Sequence, residues 1–341
     1  MTSIEVDEQI VEAAALGGGL LGGGGGGRIE EGLRFGKLSL AIGEPKIVSI
    51  EELADDASVL TVSLVGAIAS AEQYLRPIHH VKAVELLCSN GINVDGLITS
   101  ENGGASTLNG WFQSAILGIP VVDAPCNGRA HPTGIMGSIG LHKLKDYISV
   151  QSAVGGNPKT RRYIEVLIKG NLVEAVKLIR QASVSAGGLV AVARNPVSVA
   201  YAKEKAAVGA IAQAIEVGKA MLRAKASEPE EMIECAAEIL GGKIVVKGLV
   251  EEVSLKSEGG FDAGRVIVKS SENSFELTFW NEYMTAETNG FRIGTFPDLI
   301  ATLNMENGSP VPSADIKKGM KMAVLHVTKE KLKLGAGMKD A

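Results

Sequence analysis

The chain is short of several things, and each shortage excludes a class of protein. Cysteine occurs three times, at positions 88, 126 and 235. An odd set of widely spaced thiols is no disulfide framework and suits a reducing compartment. No apolar run approaches the ~18 residues that a membrane-spanning helix needs. No block of lysine or arginine occurs, and the formal charge is 34 − 39 = −5, a poor match for a nucleic-acid binder. Near the N-terminus, Glu5, Asp7, Glu8 and Glu12 precede the short apolar stretch, where a signal peptide would carry basic residues. The expectation is a cytoplasmic homo-oligomer that binds neither nucleic acid nor membrane.

Glycine is what the chain has in excess: 42 of 341 residues against 4% aromatics, about twice the usual ~7%. No Gly-x-y period accompanies it, so collagen is excluded. The glycines must serve tight turns and close packing. The remaining balance of 45% apolar and 21% charged residues is that of a globular protein, which rules out wholesale disorder. At 341 residues the chain exceeds one ordinary domain of ~150.

Along the first part, helical and strand patterns alternate. Residues 4–16 have helical spacing, which the glycines from 17 onward should break, and a second helix should start at Arg28 or Ile29. Residues 59–66, 94–99 and 119–123 read as strands. Pro77 opens a helix with Ile78, Val81, Val84 and Cys88 on one face, stopped by Asn90-Gly91. Residues 108–117 read as another helix. Alternation of this kind predicts an α/β fold, a three-layer domain with a sheet between flanking helices. Residues 163–168, 172–181 and 200–226 read as helices. The last carries Val208, Ile211, Ile215, Gly218 and Leu222 as a core-facing stripe. From Lys243 short strands and turns, such as Glu258-Gly259-Gly260 and Glu306-Asn307-Gly308, predict a smaller all-β domain, a barrel or sandwich. The expected division is residues 1–240 and 241–341, with a frayed tail after Leu334.

Three segments could carry chemistry. Glycines 22–27 precede a helix, and their amides, at Gly24, Gly25 and Gly26 for example, could wrap an anion. The run is neither a Walker loop nor a strand-to-helix dinucleotide fingerprint. The second segment, 100–107 with Asn109, offers Glu101 as a general base, Gly103 and Gly104 as oxyanion donors, and Asn102 for substrate binding. The third, 123–132, collects Asp123, Cys126, Asn127, Arg129 and His131 just beyond a strand. Asp123, Cys126 and His131 could ligate a divalent metal such as zinc, or Cys126 and His131 could form a nucleophile–base pair. Their spacing matches no standard metal pattern, and neither H-E-x-x-H nor G-x-S-x-G occurs. In open α/β sheets ligands bind beyond the carboxyl ends of strands, so the three segments are expected to form one pocket.

Taken together these segments resemble the S-methyl-thiohydantoin desulfurase-like family. The resemblance rests on the glycine run, Glu101 with Gly103-Gly104, Val122-Asp123-Ala124, Gly128-Arg129-Ala130 and Pro132. Further along it rests on Asn281-Glu282, Pro297-Asp298-Leu299-Ile300 and the region of Gly319. The commoner family form has Asp, Phe and Glu where this chain has Pro125, His131 and Thr133, and usually lacks Cys126, so the chain looks like a divergent branch. The resemblance implies an α/β domain joined to a β domain. It also implies a hydrolase acting on an S-methyl-thiohydantoin-like ring or a small cyclic amide, and a hydantoinase/oxoprolinase-type partner. On that footing water attacks the ring with Asp123 or Glu101 as base, and Arg129 binds a substrate anion or carbonyl. Two alternatives are a non-catalytic accessory subunit of a hydantoinase/oxoprolinase-type system and an anion- or nucleotide-binding protein with unrelated chemistry.

Overall fold

The computed structural model describes residues 3–66, 70, 72–224, 228–271 and 273–339. Two sheets organise it. The first comprises β1 (Ile47–Val48), β2 (Ser58–Gly66), β3 (Gly96–Thr99), β4 (Val121–Val122), β5 (Ser149–Gly155), β6 (Ile164–Gly170) and β7 (Leu189–Ser198) in the order β1-β4-β3-β2-β7-β5-β6. The β1-β4-β3-β2 half is parallel, and β7, β5 and β6 continue it antiparallel. The helices are α1 (Glu8–Leu21), α2 (Ile29–Ile42), α3 (Pro77–Cys88), α4 (Trp111–Leu117), α5 (Leu172–Ser185), α6 (Val199–Lys205), α7 (Ala210–Ala224) and α8 (Pro229–Ile239). Helix α3 packs Val84 and Leu87 on one face of the sheet against Leu60, Val62 and Ala193. Helix α5 packs Ile179 on the other against Val65, Val190 and Val192. The three-layer α/β reading therefore holds.

Several local expectations do not. Helix α1 runs through Gly17–Gly19 to Leu21. Its glycines serve approach, not termination: a Cβ on Gly17 would lie 1.9 Å from Ala214 O, and one on Gly218 of α7 would lie 1.8 Å from Ala13 O. Residues 164–170 form strand β6, with Ile164, Val166 and Ile168 alternating against the exposed Glu165, Leu167 and Lys169, a period of two rather than 3.6. On α3 the buried set is His79, His80, Val81, Ala83, Val84 and Leu87, while Ile78 and Cys88 are exposed. The stripe 80-83-84-87 competes with 78-81-84-88, and two histidines hid it. The 200–226 segment divides into α6 and α7 around Gly209 at φ +79°. Its end at 225–226, and the stretch 67–69 just after Gly66, lie outside the described residues.

The second sheet is all antiparallel. It comprises β8 (Lys243–Glu258), β9 (Phe261–Lys269), β10 (Ser274–Trp280), β11 (Glu282–Thr288), β12 (Phe291–Thr295), β13 (Leu299–Asn304) and β14 (Lys321–Val327), ordered β12-β11-β10-β9-β8-β14-β13. It curls as a half-barrel around Val266, Val268, Leu277, Tyr283 and Val324. Helices α1, α7 and α8 fill the space beside it, packing Leu20, Val217 and Ile233 against Leu299, Leu303 and Leu325. The tail is tied down, contrary to expectation. Met338 is fully buried, and Gly335 N–H donates to Asn127 Oδ1 at 3.0 Å.

Candidate active site

The glycine run lies where three parts of the chain meet. Gly23, Gly24, Gly26 and Gly27 have φ between +56° and +95°, a region open to glycine and strained for other residues. Gly23 O accepts from Tyr283 N at 2.9 Å, and Gly24 O accepts from Ser313 N at 2.9 Å. These bonds tie the loop to the half-barrel. Gly26 O accepts from Ala105 N and Ser106 N at 3.0 and 2.9 Å, tying it to the segment after β3. Gly26 and Gly103 touch backbone to backbone, and Gly104 packs against Gly27 and Ile29. The three expected segments thus converge.

Their side chains separate into two groups. Glu101, Ser106, His131, Arg180, Arg194 and Glu282 line one cleft, with Gly26 and Gly27 beside them. Glu101 follows β3 and bridges to Asn127 in parallel register. Its Oε2 is 3.0 Å from His131 Nδ1 and accepts from His131 N at 3.2 Å, and its Oε1 accepts from Ser106 Oγ at 3.2 Å. The tautomer with hydrogen on Nδ1 suits this contact. His131 Nε2 faces Gly137, where a Cβ would come within 2.4 Å. Asn127 packs behind the ring, its Nδ2 3.3 Å from His131 Nδ1; in this tautomer that nitrogen cannot accept, and Nδ2 donates to Met136 O at 3.0 Å instead.

Glu282 comes from the other domain. Asn281, at φ +57°, makes the turn between β10 and β11 and accepts from Asp262 N at 2.8 Å. This aims Glu282 back at the glycine loop, where only a glycine at 25 leaves room for it. The Glu282 carboxyl is buried, and its Oε2 has no hydrogen-bond partner among the described residues. Burial, reinforced by neighbouring Glu101, raises its pKa well above the usual carboxylate range, against the pull of Arg129 and Arg180. Glu282 is therefore held towards its neutral form while Glu101 is surrounded by donors.

The other candidate side chains do not line this cleft. Asp123 does not line the cleft: its carboxylate accepts from Ile211 N at 2.7 Å and Ala212 N at 3.2 Å at the start of α7. Burial raises its pKa, and those two amides oppose the rise. Arg129 is wholly buried, stacks 4.5 Å from the Phe296 ring centroid and donates to the carbonyls of Ala130, Pro297 and Asp298. It fastens the turn before β13 rather than facing the cleft, and burial lowers its pKa to about 10. Asn102 donates to Gly128 O and Ala210 O and accepts from Thr107 Oγ1. The Gly103 N–H is taken by Thr107 Oγ1 at 3.0 Å, so it is no free oxyanion donor. Cys126 sits in the core with Ile98 and Val122 beside Thr61 Oγ1 at 3.4 Å, and burial pushes its thiol up to about 11. No group of three or more His, Cys, Asp or Glu side chains could hold a metal ion among the described residues, so the Asp123–Cys126–His131 metal set does not assemble. Asn109 lies in an adjoining chamber with Phe35, Phe112 and His80. The His80 ring there is buried, which drops its pKa to about 3.

Comparison with known families decides what the chain is. The S-Me-THD-like N-terminal domain matches residues 9–157, and the S-Me-THD-like C-terminal domain matches residues 170–338. The chain belongs to the S-Me-THD-like family. In this member the family's C-terminal region contributes β7 to the first sheet and α5 packed on its face, as well as forming the half-barrel. A crystal structure of a protein from Chromobacterium violaceum, a structural-genomics target, has 20% identity and a TM-score of 0.76. The match covers 100% of this chain and 95% of that one, which places the two in one fold. No curated protein matches.

Sequence reasoning missed two arginines of the cleft. Arg180 on α5 donates to Gly66 O, Pro132 O and Gly260 O and stacks 4.2 Å from the Phe261 ring centroid. Arg194 lies on β7 opposite Thr61 and Gln151. The signal was present: Arg194-Asn195-Pro196 interrupts an apolar strand, and a proline within a strand marks a bulge. No element is expected from the sequence between residues 181 and 200, so that strand goes unseen.

Proposed function

We propose that the chain is a hydrolase of a small cyclic amide or S-methyl-thiohydantoin-like ring and that the cleft between the sheets is its active site. One observation carries this reading: two carboxyl groups from different domains, Glu101 and Glu282, line one cleft in contrasting surroundings. A carboxyl that burial keeps towards its neutral form, as Glu282 is, suits a general acid. Family membership supports the substrate class.

In this mechanism Glu101 takes a proton from water as its oxygen bonds to the electrophilic ring carbon. Glu282 gives its proton to the atom that leaves, the methylthio sulfur or the ring nitrogen. The C–S or C–N bond then breaks, leaving Glu101 protonated and Glu282 ionised, and a net proton transfer from Glu101 to Glu282 through solvent restores the starting state. His131 and Ser106 hold Glu101 in place, so they are positioning residues.

The test is turnover of an S-methyl-thiohydantoin and of hydantoin, followed by thiol release and by ring opening. Glu101→Gln should lower kcat/KM at least ~100-fold, the lower end for a lost general base, with the urea midpoint kept near wild type. Wild-type rates in both Glu101→Gln and Glu282→Gln would end the proposal. If the protein alone turns over neither ring but does so with a hydantoinase/oxoprolinase-type protein present, the accessory role replaces it.

A further inference from the structure

Arg194 is a buried cation that no described residue hydrogen-bonds, although the Glu101 charge acts on it through space. It is 3% exposed, and its guanidinium has no hydrogen-bond acceptor among the described residues. Native proteins rarely leave such a group unmatched, because an uncompensated buried charge is strongly destabilising. The backbone has been shaped to place it. Strand β7 carries one residue more than β2 between the Val59–Val197 and Thr61–Arg194 pairs, and Asn195 beside it has φ +54°. Bulges of this kind re-aim side chains next to sites. Across the cleft Gly134 lacks a side chain where a Cβ would stand 2.9 Å from Arg194 Nη1.

The acidic groups lining the same cleft are committed elsewhere. Glu31 is 3.6 Å from Arg28, Glu101 is bonded to His131 and Ser106, and Glu282 lies against Gly25. The neighbouring charge, Arg180, is also positive and is engaged by three backbone carbonyls, which carry no net charge. Glu101 acts on both guanidinium groups through space and Glu282 on Arg180, but no described carboxylate hydrogen-bonds to Arg194. A guanidinium with its planar fork unoccupied matches a carboxylate better than it matches a neutral carbonyl.

We infer that Arg194 binds a carboxylate carried by the substrate, so that the ring compounds accepted at this cleft bear an acidic substituent. The inference rests on the cleft being the substrate site, and a pair of probes separates the two claims. Hydantoin-5-acetate and its primary amide have nearly the same shape and differ in one charge. Titrated calorimetrically into the wild-type protein, the carboxylate should bind at least ~10-fold more tightly than the amide, the lower bound for hydrogen bonds to a charged group. Arg194→Gln should erase that preference, and Arg194→Lys should restore only part of it, because lysine keeps the charge and loses the fork. Equal binding of the two probes by wild type overturns the inference even if no variant folds. So does a failure of the carboxylate to bind, or a preference that survives in Arg194→Gln. If wild type selects the carboxylate through Arg194 but opens no ring, the anion site stands and the hydrolase reading fails. If it opens both rings at one rate, unchanged in Arg194→Gln, the hydrolase reading stands and the anion site fails.

Discussion

A methyl group added at Gly25 and one added at Gly26 would meet different kinds of neighbour. At Gly25 the Cβ would lie 2.0 Å from Glu282 Oε1 and 2.6 Å from its Cδ. At Gly26 it would lie 2.5 Å from the Gly103 backbone, on a residue with φ +75°. A side chain can swing away and a backbone cannot. Gly25→Ala should therefore displace the Glu282 carboxyl and lower kcat/KM about 100-fold, the effect of a misplaced proton donor, with most of the stability kept. Gly26→Ala should cost ~2 kcal/mol or more through left-handed strain and overpacking. Urea midpoints measured beside kcat/KM separate the two. A fully active Gly25→Ala protein would remove Glu282 from the chemistry. Glu282 also predicts a pH dependence of stability. Its folded pKa lies above the value in the unfolded chain, first through burial and then through Glu101. The folded state thus holds this proton more tightly, so the stabilisation is complete below the unfolded pKa and is lost as pH rises through the folded one. Glu282→Gln stays neutral throughout. Its urea midpoint should decline less than that of wild type on going from acid to neutral pH.

At the scale of elements, helix α7 begins on a carboxylate supplied by another element. Asp123, at the end of β4, accepts from the Ile211 and Ala212 amides, which no preceding turn could satisfy. A negative charge there also opposes the positive end of the helix dipole. Asp123→Ala should destabilise the fold by ~1–2 kcal/mol, the usual cost of a lost cap. Asp123→Asn should cost less, since its amide oxygen still accepts. Neither should change kcat/KM of the folded protein. A fall in kcat/KM with an unchanged urea midpoint would return Asp123 to the mechanism.

The whole molecule shows why site and fold are hard to separate here. Arg129 fastens the glycine-loop side of the first domain to the turn before β13, and Arg180 fastens α5 to the turn between β8 and β9. The C-terminal segment closes the third side: Gly128 N–H donates to Lys333 O at 2.7 Å, Gly335 lies on Cys126, and Met338 is buried. Deleting residues 335–341 should cost ~2–5 kcal/mol, the range for a lost buried methionine side chain. It should also lower turnover, because Asn127, which supports His131, loses its Gly335 partner. Turnover unaffected by the deletion would detach the tail from the site.

Much of this organisation is local and could be read from residues in order. The glycine run ahead of a helix, the strands expected at 59–66 and 94–99, the Pro77 helix start and the switch to turns and short strands after Gly241-Gly242 all follow from backbone preference and hydrophobic period. The convergence of Glu101 and His131 was also legible, because ends of parallel strands share one edge; the glycine run follows helix α1 and joins them through tertiary contacts. Pairings between distant positions were not. Asp123, Arg129 and Cys126 look chemical in sequence, yet a helix start, a turn and a core take them up. Arg194 and Glu282, about ninety residues apart, look ordinary until β7 and β11 bring them to one cleft. Residue type and spacing state what chemistry a side chain has available. Whether it faces solvent, a backbone amide or another charge depends on elements far away in the chain, and only the tertiary structure supplies them.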